Sequence, residues 1–347
     1  MLPMNRRHAV IEKLIQEKLF QTLFRRAAAG MLPLLLLVVA PAAGAQALSL
    51  QSATRSFESR DYVAARNQFK AIAAAEPANA SAAYYLGRVA IVDGNAGDAV
   101  RWLERAVKLE PGVAAYHHWL GRAYSREVQR VGKFKALGLA KKIRRSFETA
   151  VRLDPNDVEA RRDLMQFHLI APGIAGGDKD EARKQARAIA ERNPMLGRVA
   201  AGWLAEEAKK DEAAVREFEA AIAQYPDSAT PYMALGGLYQ RVGNWDAAFE
   251  TYERLLARCP NEVAVHYQIG RTAAQSGKQL ERGERALRTY LTKKPGEGDA
   301  PLASAHLRLG TILEKQGHAA QAREQYVASL QLDPGQPDAK EALKRVQ

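Results

Sequence analysis

Residues Ala229 to Glu262, ATPYMALGGLYQRVGNWDAAFETYERLLARCPNE, read as two short helices and a turn. In the first half Tyr232, Leu235, Gly236 and Tyr239 recur at the i, i+3, i+4, i+7 spacing that lines one face of a helix. Gly243-Asn244-Trp245 makes the turn, and Ala248, Tyr252 and Leu255 line the second helix. Pro260 ends the unit, because proline lacks an amide hydrogen and disfavours helix in the residue before it.

Outward from this unit, the proline recurs. Pro77, Pro111, Pro155, Pro194, Pro226, Pro260, Pro295 and Pro334 follow one another at 34, 44, 39, 32, 34, 35 and 39 residues. Leu86-Gly87, Leu120-Gly121, Leu235-Gly236, Ile269-Gly270 and Leu309-Gly310 share one site in the first helix, where a glycine admits a neighbouring helix. Ala65, Ala99, Ala214, Ala248 and Ala322 stand twelve residues before the closing proline, and Phe69, Leu103, Phe147, Phe218, Tyr252 and Tyr326 eight before it. Eight such units cover about 46–336. The period and these positions resemble the tetratricopeptide repeat (TPR) family over nearly the whole chain after residue 45. The segment Gly138–Pro155, GLAKKIRRSFETAVRLDP, is similar to bacterial TPR proteins to which no activity is attached.

The resemblance implies an all-α, right-handed superhelix of about eight helix-turn-helix repeats, an α-solenoid. Residues 337–347 are expected to form a capping helix, with Ala339, Leu343 and Val346 over the last repeat. Three departures stand out: ten extra residues between the helices of repeat three (126–139), five in repeat four (171–177), and a short linker from Gly296 to Leu302.

Composition agrees. Of 347 residues, 47% are hydrophobic, enough for a core, while aromatics are only 7%, which suits helices packed through small residues. One cysteine excludes a disulfide framework and a thiolate metal cluster. The N-terminus reads as an address. Met1 to Arg26 holds six basic and two acidic residues, an apolar run follows from Ala27 to Ala40, and Ala43-Gly44-Ala45 is a small-x-small cleavage site. That order is a secretory signal peptide (1–45), and the run falls short of the roughly 20 residues that span a bilayer. A periplasmic protein is expected, or one anchored to the inner membrane if the segment is not cleaved. Loss of those residues lowers the net charge from +12 to +8. Nucleic acid is a poor partner in that compartment despite the charge.

Candidate chemistry is sparse. His117 and His118 are adjacent on a helix and point about 100° apart, so they are not expected to share a metal ion. Asp93–Asp98 is spaced like part of a calcium loop but lacks the required glycine, and Ser276-Gly277-Lys278 lacks the rest of a phosphate loop. Asp178 and Asp180 after the glycine-rich insert read as a helix start, and the alternative for the 171–177 insert is a recognition loop that contacts a partner. Cys259 reads as a half-buried small side chain. No zinc-protease pattern, nucleophile elbow or dinucleotide fingerprint occurs, so neither catalysis nor a cofactor is expected.

Binding is expected instead. In the TPR family the first helix of each repeat lines a concave groove, and its second, fifth, ninth and twelfth positions commonly touch bound peptide. The resemblance carries this to Tyr84, Arg88, His118, Arg122, Arg162, Gln166, Met233, Gln240, Tyr267 and Arg271, with Arg126 one place beyond. The expected work is that of a non-catalytic scaffold or adaptor in the bacterial cell envelope, with a partner protein, such as an acidic segment, in the groove. The alternative rests on charge. Arg122 to Arg145 holds nine basic residues against Glu127, and Arg130, Lys133, Lys135, Lys141, Lys142, Arg144 and Arg145 would bind an anionic lipid headgroup or an envelope glycan.

Overall fold

The computed structural model describes residues 49–346. The expected signal peptide (1–45) therefore lies outside the described residues. The described residues form one compact unit of seventeen α-helices. Eight antiparallel pairs follow in order: α1 (Leu50–Glu58) with α2 (Tyr62–Ala75), α3 (Ala80–Val92) with α4 (Ala96–Leu109), and α5 (Ala114–Glu127) with α6 (Lys133–Leu153). Next come α7 (Val158–Ile170) with α8 (Lys179–Arg192), α9 (Pro194–Glu207) with α10 (Asp211–Gln224), and α11 (Ala229–Arg241) with α12 (Trp245–Arg258). Last are α13 (Val263–Ser276) with α14 (Leu280–Leu291) and α15 (Leu302–Lys315) with α16 (Ala319–Leu332), and α17 (Pro337–Arg345) closes the end with Ala339 and Ala342 buried.

Each closing proline falls just beyond a second helix. Asp or Asn side chains start first and second helices alike by accepting a backbone N–H, as Asn79, Asn95, Asp157, Asp178, Asn193 and Asn244 do. Asp178 thus begins a helix, as its position suggested, and two backbone N–H groups hold its carboxylate below the usual range.

The helix pairs are held by one repeated contact. A methyl placed on Gly87, Gly121, Gly202, Gly236, Gly270 or Gly310 would overlap Leu103, Phe147, Phe218, Tyr252, Leu287 or Tyr326 of the partner helix. Four of these pairs are 16 residues apart and Gly270–Leu287 is 17. Gly121–Phe147 is 26 apart, so repeat three carries its ten extra residues between the contact points. In repeat four the sizes are exchanged: Met165 occupies the glycine site and Ala186 faces it within one core cluster. Gly236→Ala should therefore cost about 1–3 kcal/mol through overpacking against Tyr252. Gly237→Ala, next along the helix and open to solvent-side Arg241, should stabilise by about 0.5–1 kcal/mol. Urea midpoints that shifted the same way for both would contradict this packing scheme.

Two expectations about the inserts need correction. The extra residues of repeat three are not a loop between helices. After a 3₁₀ turn (Val128–Arg130), Lys133–Leu139 extend the second helix, making α6 21 residues long against 14 for α2 or α4. Lysine, alanine and leucine favour that extension. The segment before the last repeat is not a simple linker. Residues 292–301 cross to the first three repeats, where Arg60 Nη1 donates to Lys294 O (2.8 Å) and Arg88 grips the Glu297 carboxylate through two nitrogens. Arg126 Nη2 donates to Glu297 O (3.1 Å), and Arg130 forks onto Asp333 at 3.0 and 2.8 Å. The solenoid therefore closes on itself.

Candidate binding cleft on the inner wall

Three faces with helical spacing surround one cleft. From α5 come Trp119, Arg122, Ser125 and Arg126; from α7, Glu159, Arg162, Asp163, Gln166, Phe167 and Ile170. From the extended start of α6 come Lys133, Ala136, Leu137, Ala140 and Ile143. The 171–175 loop and Glu297-Gly298 complete a space of about 1060 Å³. The sequence places these side chains together because positions three and four apart stack on one helix face.

One wall is a charged network. Asp163 accepts from Arg122 Nε (2.5 Å), His118 Nε2 (2.9 Å) and Arg162 Nη2 (3.2 Å). Arg162 and Arg122 also meet Glu159, at 2.6 and 3.4 Å. Burial opposes the Asp163 charge, but the His118 hydrogen bond and the Arg122 guanidinium outweigh it and hold the carboxyl well below the usual range. Burial also disfavours the Arg122 charge, yet Asp163 more than compensates and raises it. Arg126 behaves oppositely: burial, then Arg122, push it below the ordinary arginine value.

The opposite wall and the rim are apolar. Ile170 and Ile174 are 80% and 81% exposed at the mouth. Phe134 on the α6 extension, which does not line the cleft, is 98% exposed. A smaller hollow beside the cleft, lined by Gln166, Ile170, Trp203 and Arg241, continues along α9 and α11.

Arg88 sits apart from this cleft in an aromatic cage. Its guanidinium lies 4.6 Å from the Phe57 ring centroid, 4.7 Å from Trp119, 5.1 Å from Tyr84 and 5.4 Å from Tyr85. Burial pushes the Tyr84 hydroxyl up to about 12.

Of the positions expected to touch a ligand, Arg122, Arg126, Arg162 and Gln166 line the cleft. Tyr84, His118 and Gln240 are buried and are not free to meet a partner: Tyr84 accepts from Arg88, His118 holds Asp163, and Gln240 donates to Thr272 Oγ1 at 2.7 Å. Arg88 and Arg122 already hold carboxylates of this chain, so they are not open forks for a partner's acids. Met233 and Tyr267 pack on the core of the C-terminal repeats, and Arg271 is half-buried on α13, all three outside the cleft. The anion-binding candidates do not converge. Arg130 holds Asp333, Lys142 meets Glu104 and Arg144 lies by Glu148, while Lys133, Lys135, Lys141 and Arg145 are exposed at different angles around α6. His117 Nε2 lies 2.9 Å from Pro111 O, so the two adjacent histidines face different partners. The half-buried Cys259 thiol donates to Asp227 O at 3.3 Å.

Sequence reasoning missed Asp163, Trp119, Ile170 and Glu297, and it named Ile174 only as part of the 171–177 insert. Ile170 and Ile174 flank Pro172-Gly173, and apolar residues beside a turn were the available signal. Glu297 carries none, because its partners lie 209 and 171 residues away.

Tetratricopeptide repeat models match residues 56–122, 199–228, 229–272 and 267–337. The chain belongs to the tetratricopeptide repeat family. No curated protein matches it. Among solved structures it is similar to a chain of the APC/C hetero-tetramer Cut9–Hcn1, at 15% identity and TM-score 0.44 over 84% of this chain and 54% of that one. It is also similar to a tetratricopeptide repeat protein from Parabacteroides merdae, at 15% identity and TM-score 0.44 over 85% and 96%. The chain thus spans about half the length of the first of these and nearly all of the second.

Proposed function

We propose that this protein is a non-catalytic scaffold of the bacterial envelope whose inner wall receives a segment of a partner protein. Repeats of this family generally bind proteins. The observation that carries the reading here is the cleft between α5, α6 and α7, with Ile170 and Ile174 exposed at its mouth. Exposed apolar side chains beside a deep groove are the usual mark of an interaction surface. The partner's acids are not expected at Arg88 or Arg122, which carboxylates of this chain already neutralise. Its apolar side chains would meet Ile170 and Ile174.

Ile170→Asp/Ile174→Asp tests the reading, since both side chains are exposed and their loss should leave the helical signal intact. A crosslinking pull-down from envelope extract should recover a protein with the parent chain and not with the variant. An unchanged catch would overturn the inner-wall site. The envelope location rests on the basic, apolar, small order of residues 1–45, and a mature protein beginning at Gln46 in a periplasmic fraction would support it; a cytosolic full-length chain would sink it.

A second reading has one observation in its favour. Lys133, Lys135, Lys141 and Arg145 are exposed and engage no carboxylate within ion-pair distance among the described residues. They would hold an anionic lipid headgroup or glycan at the surface. Binding to anionic vesicles that vanished between 50 and about 200 mM salt would support this, because exposed charges are screened over about 10 Å.

A further inference from the structure

We propose that the cleft between α5, α6 and α7 binds a single-chain anionic amphiphile, a hydrocarbon tail with one carboxylate head, and that Arg126 holds the head. This uses the cleft of the preceding reading but goes beyond it, since it needs no protein partner.

Three carboxylates reach the cleft. Glu159 is held by Arg122 and Arg162, Asp163 by His118, Arg122 and Arg162, and Glu297 by Arg88. Two cations of the lining are left over among the described residues: Lys133, exposed at the start of α6, and, enclosed within, Arg126. Among the described residues the one hydrogen bond of Arg126 goes to a neutral acceptor, Glu297 O, at 3.1 Å. A guanidinium has five N–H donors in a planar fork suited to a carboxylate, so most of its capacity is unused. It is also largely enclosed, with Arg122 as a like-charged neighbour, which makes an added anion favourable.

The walls choose the rest of the ligand. Leu137, Ala140, Ile143 and Phe147 face Phe167 and Ile170 across the space. The small Ala136 and Ala140 on the α6 extension leave the room that the longer helix encloses. The volume is that of a site for a small molecule. A peptide lying deep in the cleft would bring backbone N–H and C=O groups that need partners. The polar side chains there are mostly committed to each other, and Ser125 donates to Gly121 O at 2.9 Å. A hydrocarbon tail makes no such demand.

The test is isothermal titration of the purified protein with decanoate, undecanoate and dodecanoate below their micelle concentrations, with dodecanol and dodecylamine as head-group controls. Affinity should rise by about fourfold for each added methylene, as burial of a CH₂ group requires. Dodecanol and dodecylamine should bind at least about tenfold more weakly than dodecanoate. Arg126→Gln should lose about tenfold or more, and Ala140→Trp, which fills the space without touching Arg126, should abolish binding while circular dichroism stays unchanged. Lys135→Gln, on the far side of α6, should bind as the parent does. Absence of dodecanoate binding would overturn the inference, as would equal binding by dodecanol, an unaffected Arg126→Gln variant, or competition by a short apolar peptide at equal affinity. None of these results depends on the pull-down from extract, so either reading can fail alone.

Discussion

Glu297→Ala should destabilise the protein by about 3–5 kcal/mol, and together with Asp333→Ala it should open the closed solenoid. Glu297 and Arg88 are only 14% and 18% exposed at the side chain. Removal of the carboxylate strands a guanidinium among Phe57, Tyr84, Tyr85 and Trp119, and the rings compensate only in part, at about 0.5–2 kcal/mol. Arg88→Ala should cost a similar amount. The double variant Glu297→Ala/Arg88→Ala should cost less than the sum, because no buried charge is left alone. With Arg130–Asp333 also removed, the remaining direct hydrogen-bond ties between the ends among the described residues are the backbone contacts of Arg60 and Arg126. Small-angle scattering should then show a larger radius of gyration, and protease should cut first within 292–301. Unchanged scattering from the Glu297→Ala/Asp333→Ala variant would show that the closure does not depend on these pairs.

Asp163→Asn carries the second large effect. Asp163 collects three donors on two helices, and its loss leaves Arg122 without its shortest partner beside the half-compensated Arg126. The expected cost is about 3–5 kcal/mol at neutral pH. The pH dependence has a definite sign. The folded carboxyl lies below its unfolded value near 3.9, so its contribution is complete above about pH 4 and falls away as the pH drops towards the folded value. Urea midpoints of parent and variant should differ most at pH 7 and by clearly less at pH 3, where the unfolded carboxyl has taken up its proton and the folded one has not. A gap that was equal at both values would mean that the ionised carboxylate is not what stabilises this corner.

Repeat number, helix pairing and the close glycine contacts follow from short-range spacing, and they were legible. Gly236 is 16 residues from Tyr252, and one helix hairpin contains the whole contact. The capping role of α17 was legible for the same reason. Burial of individual ligand-facing positions was not. Tyr84, His118 and Gln240 occupy the same kind of helix position as Gln166, yet each meets a neighbour chosen by repeat-to-repeat packing. The least legible feature was the closure. It depends on small rotations summed over eight repeats, and only that sum brings Glu297 to Arg88. The α6 extension misled because ten inserted residues in a repeat usually suggest a loop, whereas Lys133–Leu139 have the composition of a helix.

The most direct test of the inner-wall binding site is site-specific photocrosslinking in living cells. A photoreactive residue would replace Ile174 at the cleft mouth or Arg187, exposed on α8. A discrete crosslinked protein from position 174 and none from position 187 is the predicted result. The same adduct from 187, or from both positions alike, would contradict binding on the inner wall.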